Sequence, residues 1–354
     1  MNGARRALAS FVPGAPIRTI APVPGGNVNR SFRVRLADGT QYLLQRLSPV
    51  AFPHPERIMA NLVRVSGHLR AAERNRAGRL RVAMPVPRPD GNLLYHDDEG
   101  GTWRLLTWLA NTRTLAGPVS PRQALELGRV LGRFHLLLAD LDPATLYDSL
   151  PGFHHTPTCL AACDRAMAAA TRLDDPREEA CCLFVERLRD RAGLLEEHRS
   201  RLCRTIIHAD PKVANFLFAN DRDKAVALID LDTVMPGLLL HDLGDALRSC
   251  CNQPGEEGAP EQVVFDRDLF AAFIKGYAGE TGRLLGAPDR NLLAQAPLVI
   301  AFELGLRFFT DHLQGNTYFR ISRPDQNLDR ALVQFHLAAS IQAQQKELAG
   351  LLTA

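Results

Sequence analysis

Four polar side chains interrupt the apolar run IIHADPKVANFLF at residues 206–218. They are His208, Asp210, Lys212 and Asn215, and the apolar Phe-Leu-Phe resumes directly after them. Charged and amide groups are costly to bury without partners, so such a cluster is more typical of a site than of a core. The five-residue step from Asp210 to Asn215 allows a loop to curl the amide back beside the carboxylate. This stretch is therefore the first candidate site.

Two further acids, Asp230 and Asp232, end the strand-like run AVALIDLD at residues 225–232. Side chains two apart on a strand share a face, so both carboxylates are predicted to point the same way at the strand end. Neighbouring carboxylates repel each other unless a cation lies between them. Mg²⁺ commonly takes one or two carboxylates together with substrate phosphates. A turn-capping role for Asp232 is the alternative.

The segment between these two stretches, FLFANDRDKAVALID, predicts a hairpin with NDRD as its turn. A hairpin brings its two ends together, so Asp210, Asn215 and Asp230 are expected to converge at its mouth. In phosphoryl transfer an Asp accepts the proton of the substrate hydroxyl, an Asn holds a metal ion, and a later Asp also holds metal. The three residues therefore predict a phosphoryl-transfer site with apolar strands buried behind it.

The elements that must position these residues divide the chain into two parts. The first hundred residues predict five strands and one amphipathic helix at 55–73, with Asp38-Gly39 as a hairpin turn. From Ser120, which begins a capping box with Gln123, the pattern becomes helical. Further helices are expected at residues 159–172, 177–198, 266–279, 291–313 and 327–352. The sequence thus predicts an α+β fold with a small β-rich lobe at 1–110 and a larger, mostly helical lobe at 111–354.

Composition excludes several classes of partner. The net charge of +3, from 42 basic and 39 acidic residues, is too small to favour nucleic acid. No run reaches 18 apolar residues, and the apolar stretch near the N-terminus is too short for a signal peptide, so no membrane partner is expected. The seven cysteines show no CxxC spacing, which is typical of reduced thiols in a cytoplasmic protein.

The motif HADPKVANFLF, followed by IDLDTVMPGLLLHDLGDALR, resembles the aminoglycoside phosphotransferase and choline kinase group, which are protein-kinase-like enzymes that act on small molecules. The pieces GGNVNRSFRV, YLLQRL, IDLDTVMPGL and ELGLRFFTDHLQGNTYF resemble more narrowly the bacterial N-acetylhexosamine 1-kinases. These pieces span nearly the whole chain. The resemblance implies a bilobal protein-kinase-like fold. It also implies that ATP and Mg²⁺ serve to phosphorylate the anomeric hydroxyl of a small sugar.

Roles for residues of the large lobe follow from the resemblance. Asp210 would be the catalytic base, Asn215 and Asp230 would bind Mg²⁺, and Lys212 would reach the transferring phosphoryl group or the sugar. A solvated loop lysine is the alternative for Lys212. His208 is expected to fix the loop.

The sugar pocket would be lined by Thr233, Arg307 and Tyr318. A helix-surface charge and a core aromatic are the alternatives for the last two. Asp242 and Asp245 begin a helix and are expected to be structural, with Asp242 as a possible brace of the catalytic loop.

The small lobe should cover the nucleotide. Gly25, Gly26 and Asn27 would lie in the loop over the phosphates, since glycine lets backbone N–H groups approach an anion. A protein kinase carries a lysine on its third strand, whereas this strand offers Gln45 and Arg46. Both are candidate nucleotide ligands, and the sequence leaves open which one replaces the lysine.

Two other functions stay open at this point. The first is the same chemistry on another acceptor, such as an aminoglycoside, choline, homoserine or an inositol. Only two tryptophans are available for a choline cage, and FFTDHLQGNTYFR is mostly neutral where an aminoglycoside site needs acids. The second is an inactive nucleotide-binding pseudokinase, which the missing lysine favours and the intact Asp210, Asn215 and Asp230 oppose.

Overall fold

The computed structural model describes residues 2–24, 28–73, 80–115, 117–170, 175–282 and 284–352. Within these ranges the predicted α+β architecture is confirmed: an antiparallel sheet near the N-terminus precedes a larger, mostly helical part. The lobe boundary after residue 110 stays a prediction, and an isolated bridge between Arg81 and Ala227 crosses it.

The N-terminal sheet has five antiparallel strands in the order β1-β2-β3-β5-β4. All five were predicted. Gly39, with φ of 87°, turns the chain between β2 and β3, which is the conformation that favours glycine at this position. The strands are β1 (Ile17–Pro22), β2 (Arg30–Leu36), β3 (Gln41–Leu47), β4 (Tyr95–His96) and β5 (Thr102–Thr107).

Two helices cover the two faces of this sheet. The predicted helix α2 (Pro55–Glu73) packs on the face that carries Leu106. The opposite face, which carries Trp103, is covered by α1 (Asn2–Phe11). Helix α1 was not predicted, although its buried residues Ala4, Ala7, Leu8 and Phe11 fall at helical spacing.

The larger part of the chain contains nine described helices and five short strands. The helices are α3 (Pro121–Leu138), α4 (Thr156–Ala169), α5 (Pro176–Leu188), α6 (Leu239–Cys250), α7 (Arg267–Thr281), α8 (Ala287–Leu293), α9 (Ala296–Leu313), α10 (Gln326–Ala343) and α11 (Gln345–Leu351). The strands are β6 (Thr112–Arg113), β7 (Arg204–Ile207), β8 (Phe216–Ala219), β9 (Ala225–Leu228) and β10 (Met235–Leu238). Strands β10 and β7 pair with each other, and β6, β8 and β9 form a three-stranded sheet.

Three of the predicted helices are shorter than expected. The segment 177–198 stops being α-helical after Leu188 and continues as a 3-10 turn. The segment 291–313 divides into α8 and α9, because Pro297 lacks the N–H that a continuous helix needs. The segment 327–352 divides at Gln344, whose Nε2 donates to the carbonyl of Phe265 at 3.1 Å.

The close crossing of α3 and α7 fixes the platform behind the site. A Cβ added at Gly128 would lie 2.0 Å from the carbonyl oxygen of Phe273, and one at Gly276 would lie 1.9 Å from that of Leu125. Glycine is therefore required where these backbones touch. From the same helix, Arg129 donates to the carbonyl of Ala225 at 2.7 Å, which ties α3 to the start of β9.

Within the described ranges, no single helix is long and apolar enough to cross a membrane. Helices α8 and α9, which are bent by 59° relative to each other, meet the length and composition criterion only as a pair.

Candidate active site

The loop after β7 carries the first candidate groups. The side-chain Nδ2 of Asn215 donates to the backbone carbonyl of Asp210 at 2.7 Å and to Oδ2 of the same residue at 3.0 Å. The Nζ of Lys212 donates to that Oδ2 at 2.7 Å. The amide thus curls back beside the carboxylate, which is the arrangement that the sequence spacing predicts.

The predicted hairpin is formed by β8 and β9, which pair Phe216 with Leu228. The backbone N–H of Ile229 donates to the carbonyl of Asn215 at 2.9 Å, which closes the mouth of the hairpin. Asp230 follows directly and adopts a left-handed backbone with φ of 65°. Strain of this kind is typical of functional sites.

The prediction that Asp230 and Asp232 share a strand face is wrong. Strand β9 ends at Leu228, and Leu231–Thr233 form a 3-10 turn that sends the two carboxylates apart. Asp230 is exposed, whereas Asp232 is 3% exposed. Asp232 accepts a hydrogen bond from Asn29 and forms an ion pair with Arg104 on β5. Only Asp230 is therefore available beside Asp210.

Opposite pKa shifts distinguish these two carboxylates. Burial would raise the pKa of Asp210, but the Lys212 ammonium outweighs it and holds that pKa below its ordinary value. For Asp230, the surrounding protein and the carboxylates of Asp232 and Asp210 raise the pKa to about 7. Solvent contact at the exposed Asp230 weakens this shift. Asp210 is therefore ionised at neutral pH, and Asp230 is the group that a bound cation would stabilise.

The donor set here fits a hard divalent cation. Two carboxylates repel each other across the hairpin mouth, and the Nδ2 of Asn215 is turned to Asp210, which leaves its amide oxygen as a further possible ligand. Mg²⁺ uses one or two carboxylates and completes its shell with water and phosphate oxygens. Among the described residues, no group of three His, Cys, Asp or Glu side chains offers an all-protein metal site.

Asp242, at the start of α6, braces the loop from below. Its carboxylate accepts the backbone N–H groups of His208 and Ala209, each at 2.7 Å, and Nε2 of His135 at 2.8 Å. The side chain is fully buried. The predicted bracing contact is therefore present.

Replacing Asp242 by alanine should lower the free energy of unfolding by about 3 kcal/mol or more, because it leaves two backbone N–H groups and one imidazole buried without an acceptor. Urea unfolding followed by circular dichroism would measure the loss. Asp268→Ala is the matched control, since this acid also lies in the first turn of a helix but is exposed. A loss below about 1 kcal/mol for Asp242→Ala would contradict the bracing role.

His208 is buried and links the loop to the hairpin. Its Nε2 donates to the carbonyl of Ile229 at 2.9 Å. Its own carbonyl accepts the hydroxyl of Thr233 at 2.7 Å. The hydroxyl of Thr233 is thus already engaged, and its assignment to the sugar pocket stays a prediction.

A buried cation supports the loop from the other side. His154 places Nε2 at 2.7 Å from the carbonyl of Ala209 and Nδ1 at 3.0 Å from Oε1 of Glu303. Both partners only accept hydrogen bonds, so both ring nitrogens must carry protons. Burial opposes the charged form of both side chains, but the opposite charge of each partner stabilises the charged form of the other. The pKa of His154 is therefore raised, and that of Glu303 is lowered to about 2. No sequence motif identified this pair, because 149 residues separate its members.

Arg307 and Tyr318 lie together, as their shared assignment to one pocket requires. The guanidinium carbon of Arg307 lies 4.7 Å from the ring centre of Phe153, 5.8 Å from that of Tyr318 and 5.4 Å from that of Phe319. Phe153 packs with Ala209 in one apolar cluster. This aromatic group therefore adjoins the loop that carries Asp210.

The segment that holds Tyr318 is ordered by Asp311. This carboxylate accepts the backbone N–H groups of Thr317 and Tyr318 at 2.8 Å and of Phe319 at 2.9 Å. Nδ2 of Asn327 adds a fourth hydrogen bond at 2.9 Å. The local sequence signal for this arrangement is an acid three residues before the turn residues Gln314-Gly315-Asn316.

On the N-terminal side, the predicted phosphate loop residues Gly25, Gly26 and Asn27 lie outside the described residues. The register of β3 with β5 separates the two other candidates, since Gln45 pairs with Arg104 and Arg46 pairs with Trp103. Successive residues of a strand face opposite sides.

The structure does not bring Arg46 to this site, because it lies on the Trp103 face of the sheet under α1. Gln45 is on the face toward the hairpin, where its Oε1 accepts Nε and Nη2 of Arg104 at 3.0 and 2.7 Å. Arg104 in turn forms an ion pair with Asp232. Sequence reasoning did not identify Arg104.

A cavity lies elsewhere, away from this site. It measures about 910 Å³ and lies between α2 and residues 88–96, with Met59, Arg88 and Leu94 among its lining. It contains none of the residues around Asp210, and the candidate site is assigned by the convergence of its side chains instead.

Comparison with known proteins agrees with this geometry. A model of the phosphotransferase enzyme family matches residues 19–281. A microcompartment-associated aminopropanol kinase is 16% identical, with 97% of this chain and 98% of that chain covered and a TM-score of 0.61. A spectinomycin phosphotransferase in complex with ADP and spectinomycin is 14% identical, with coverage of 95% and 96% and a TM-score of 0.61. A choline kinase from Cryptosporidium parvum Iowa II is 12% identical, with coverage of 94% and 91% and a TM-score of 0.56.

At these identities the solved structures establish the fold, and the family match covers most of the chain. The family match confirms the broader of the two resemblances seen in the sequence, that to the aminoglycoside phosphotransferase group. The chain belongs to the phosphotransferase enzyme family.

Proposed function

We propose that the protein is an ATP-dependent kinase that phosphorylates the anomeric hydroxyl of an N-acetylhexosamine and gives the sugar 1-phosphate. The observation that carries the kinase assignment is the convergence of Asp210, Asn215 and Asp230 at the mouth of one hairpin. The choice of sugar rests on the narrower sequence resemblance and on the charge of the acceptor side described below.

The chain's own residues supply the base and the positioning. The Asp210 carboxylate takes the proton of the anomeric hydroxyl. At the same time the oxygen of that hydroxyl bonds to the γ-phosphorus of ATP. The bond from that phosphorus to the β,γ-bridging oxygen breaks, and ADP leaves with the electron pair. Nζ of Lys212, 2.7 Å from Oδ2 of Asp210, places a positive charge beside the transferred group.

Asn215 and Asp230 would hold Mg²⁺, which neutralises charge on the phosphate oxygens when it is bound. ATP would lie under the N-terminal sheet. Two relatives support a nucleotide donor and a divalent metal: the spectinomycin phosphotransferase holds ADP, and an amicoumacin kinase holds AMP-PNP and Ca²⁺.

The acceptor side favours a neutral molecule. The aromatic rings of Phe153, Tyr318 and Phe319, which could form a cage for a quaternary ammonium group, already surround the guanidinium of Arg307. A second cation such as choline would be repelled there. Together with Lys212, this arginine also disfavours a polycationic aminoglycoside. A sugar carries no charge and can use the exposed Tyr318 and the guanidinium donors.

Replacing Asp311 by alanine should raise KM for the acceptor by about 10-fold while KM for ATP stays within about twofold, because it frees the segment that carries Tyr318 and leaves the hairpin untouched. Steady-state kinetics with each substrate varied would measure the two constants. Asp325→Ala is the control, since this exposed acid caps nothing by its side chain. Equal changes in both KM values would contradict a role confined to the acceptor pocket.

A coupled assay of ADP release would test the proposed function. The panel is N-acetylglucosamine, N-acetylgalactosamine, glucose, inositol, choline and kanamycin, each with ATP and Mg²⁺. Turnover with an N-acetylhexosamine, and a product that carries phosphate on the anomeric carbon by ³¹P NMR, is the expected result. Turnover confined to choline or kanamycin would overturn the sugar assignment, and no ADP release with any acceptor would favour the pseudokinase.

We also place the enzyme in the cytoplasm, with no nucleic acid or membrane partner. The support for this location is that all seven cysteines are free thiols.

A further inference from the structure

A buried ion pair joins the N-terminal sheet to the hairpin segment. Nη1 of Arg104 on β5 lies 2.5 Å from Oδ1 of Asp232, and the two side chains are 1% and 3% exposed. Asp232 lies two residues after the proposed metal ligand Asp230. The pair therefore connects the sheet proposed to cover the nucleotide to the segment that carries the proposed metal ligand.

The other edge of the guanidinium is fixed by the third strand. Gln45 accepts both Nε and Nη2 of Arg104, and its own Nε2 donates to the hydroxyl of Ser31 on β2 at 3.0 Å. Three adjacent strands thus hold one arginine in one orientation. A solvent-exposed ion pair does not need its arginine to be held by neighbouring strands in this way.

A second N-terminal group binds the same carboxylate. Nδ2 of Asn29 donates to Oδ2 of Asp232 at 2.7 Å, and Oδ1 of Asn29 accepts the backbone N–H of Ser48 at 3.1 Å. Asn29 begins the turn into β2, next to the segment that sequence analysis places over the phosphates. Asp232 therefore forms an ion pair with a residue of β5 and accepts a hydrogen bond from Asn29.

These contacts stand where protein kinases use a different pair. There, a lysine on the third strand binds phosphate and pairs with a glutamate on the following helix. In this chain the third strand offers the amide of Gln45, and α2 brings the sulfur of Met59 to 3.9 Å from Nη1 of Arg104. The positive charge comes instead from β5, and its acidic partner comes from the hairpin segment.

Stability alone is a weak reason for such a pair. Removing two charges from water costs about as much as their attraction returns, so an apolar pair of similar volume is often as stable. Buried ionic groups are better explained where they fix one arrangement of two elements. Here the two elements are the lobes on either side of the proposed nucleotide site.

We propose that Arg104, Asn29 and Asp232 form an inter-lobe clamp that replaces the lysine–glutamate pair of protein kinases and holds the N-terminal sheet in register with Asp230 for nucleotide binding. The proposal rests on the proposed kinase function. The three residues are positioning residues: they act through the placement of Asp230.

The test compares binding of Mg·AMP-PNP by calorimetry for Arg104→Met, Asp232→Asn and the double variant. Each single substitution should weaken binding by roughly 5- to 150-fold, the usual range for coupled sites. The double variant should lose no more than the weaker-binding single variant, because both substitutions break one link. Arg104→Lys should recover part of the loss, since it keeps the charge but lacks the fork that donates twice to Gln45.

Arg133→Met is the matched control. Arg133 on α3 also forms a buried ion pair with α2, at 2.7 Å from Glu73, but Glu73 is the last residue of α2 and lies at the opposite end of that helix from Met59. The control should lower the urea midpoint as Arg104→Met does and leave the Kd for Mg·AMP-PNP within about twofold of the wild type. KM for the acceptor should be unchanged in every clamp variant that turns over.

Wild-type affinity in Arg104→Met, or an equal loss of affinity in Arg133→Met, would overturn the clamp and leave a merely structural pair. Should Arg104→Met not fold, Arg104→Lys and Asp232→Asn carry the same test, and wild-type affinity in both has the same meaning. The outcome is separate from that of the proposed function. A wild-type protein that binds Mg·AMP-PNP but phosphorylates no hexosamine would refute the sugar assignment and still report on the clamp.

Discussion

Replacing Asp210 by asparagine is expected to lower kcat by ~10²- to 10⁴-fold, the usual contribution of a positioned general base. The asparagine keeps the shape of the side chain, and its oxygen can still accept Nζ of Lys212, but it cannot take the proton of the acceptor hydroxyl. Since Asp230 and the N-terminal sheet are unchanged, the affinity for Mg·ATP should remain within a few-fold of the wild type. Stopped-flow or coupled kinetics would give kcat, and calorimetry would give the affinity.

Asp221→Asn is the control for this substitution. Asp221 lies in the turn of the same hairpin, its side chain is 76% exposed, and its contact with Arg222 is 3.9 Å long. Loss of this charge should leave kcat and the urea midpoint unchanged. Turnover of Asp210→Asn within about threefold of the wild type would exclude Asp210 as the base.

Replacing Asp230 by alanine is expected to weaken Mg·ATP binding and to lower kcat/KM for ATP by ~10²-fold or more, because metal stabilisation of phosphate charge is worth several kcal/mol. The protein should stay folded, since the substitution removes a carboxylate that Asp232 and Asp210 already repel. Titration of ATP at fixed Mg²⁺, followed by thermal unfolding of the same samples, would measure both effects.

A companion variant separates charge from backbone strain. Asp230 has a φ of 65°, a conformation that costs alanine ~1–2 kcal/mol but that asparagine adopts more easily. Asp230→Asn should therefore unfold at a higher temperature than Asp230→Ala while it still binds Mg·ATP poorly. Wild-type affinity in both variants would show that the metal is held elsewhere.

Local spacing was enough to predict much of this protein. The step from Asp210 to Asn215, the hairpin that follows it and the helix at 55–73 depend on residues close in the chain, so composition and periodicity report them directly. The five N-terminal strands were predicted for the same reason. Helices 177–198, 291–313 and 327–352 were predicted too long, because periodicity does not record where a proline or a tertiary contact ends a helix.

Contacts between distant residues were decided only by the tertiary structure. Gln45 and Arg104 are 59 residues apart, and which of Gln45 and Arg46 faces the site follows from the register of β3 on β5. The left-handed turn at Asp230 directs the side chain of Asp232 toward Asn29 and Arg104, against the strand alternation that the sequence indicated. The sequence by itself thus determined which groups are the candidates for the chemistry, because those groups lie within one hairpin. The fold determined which groups hold them in place, because strand register and lobe packing join residues whose separation along the chain carries no local signal.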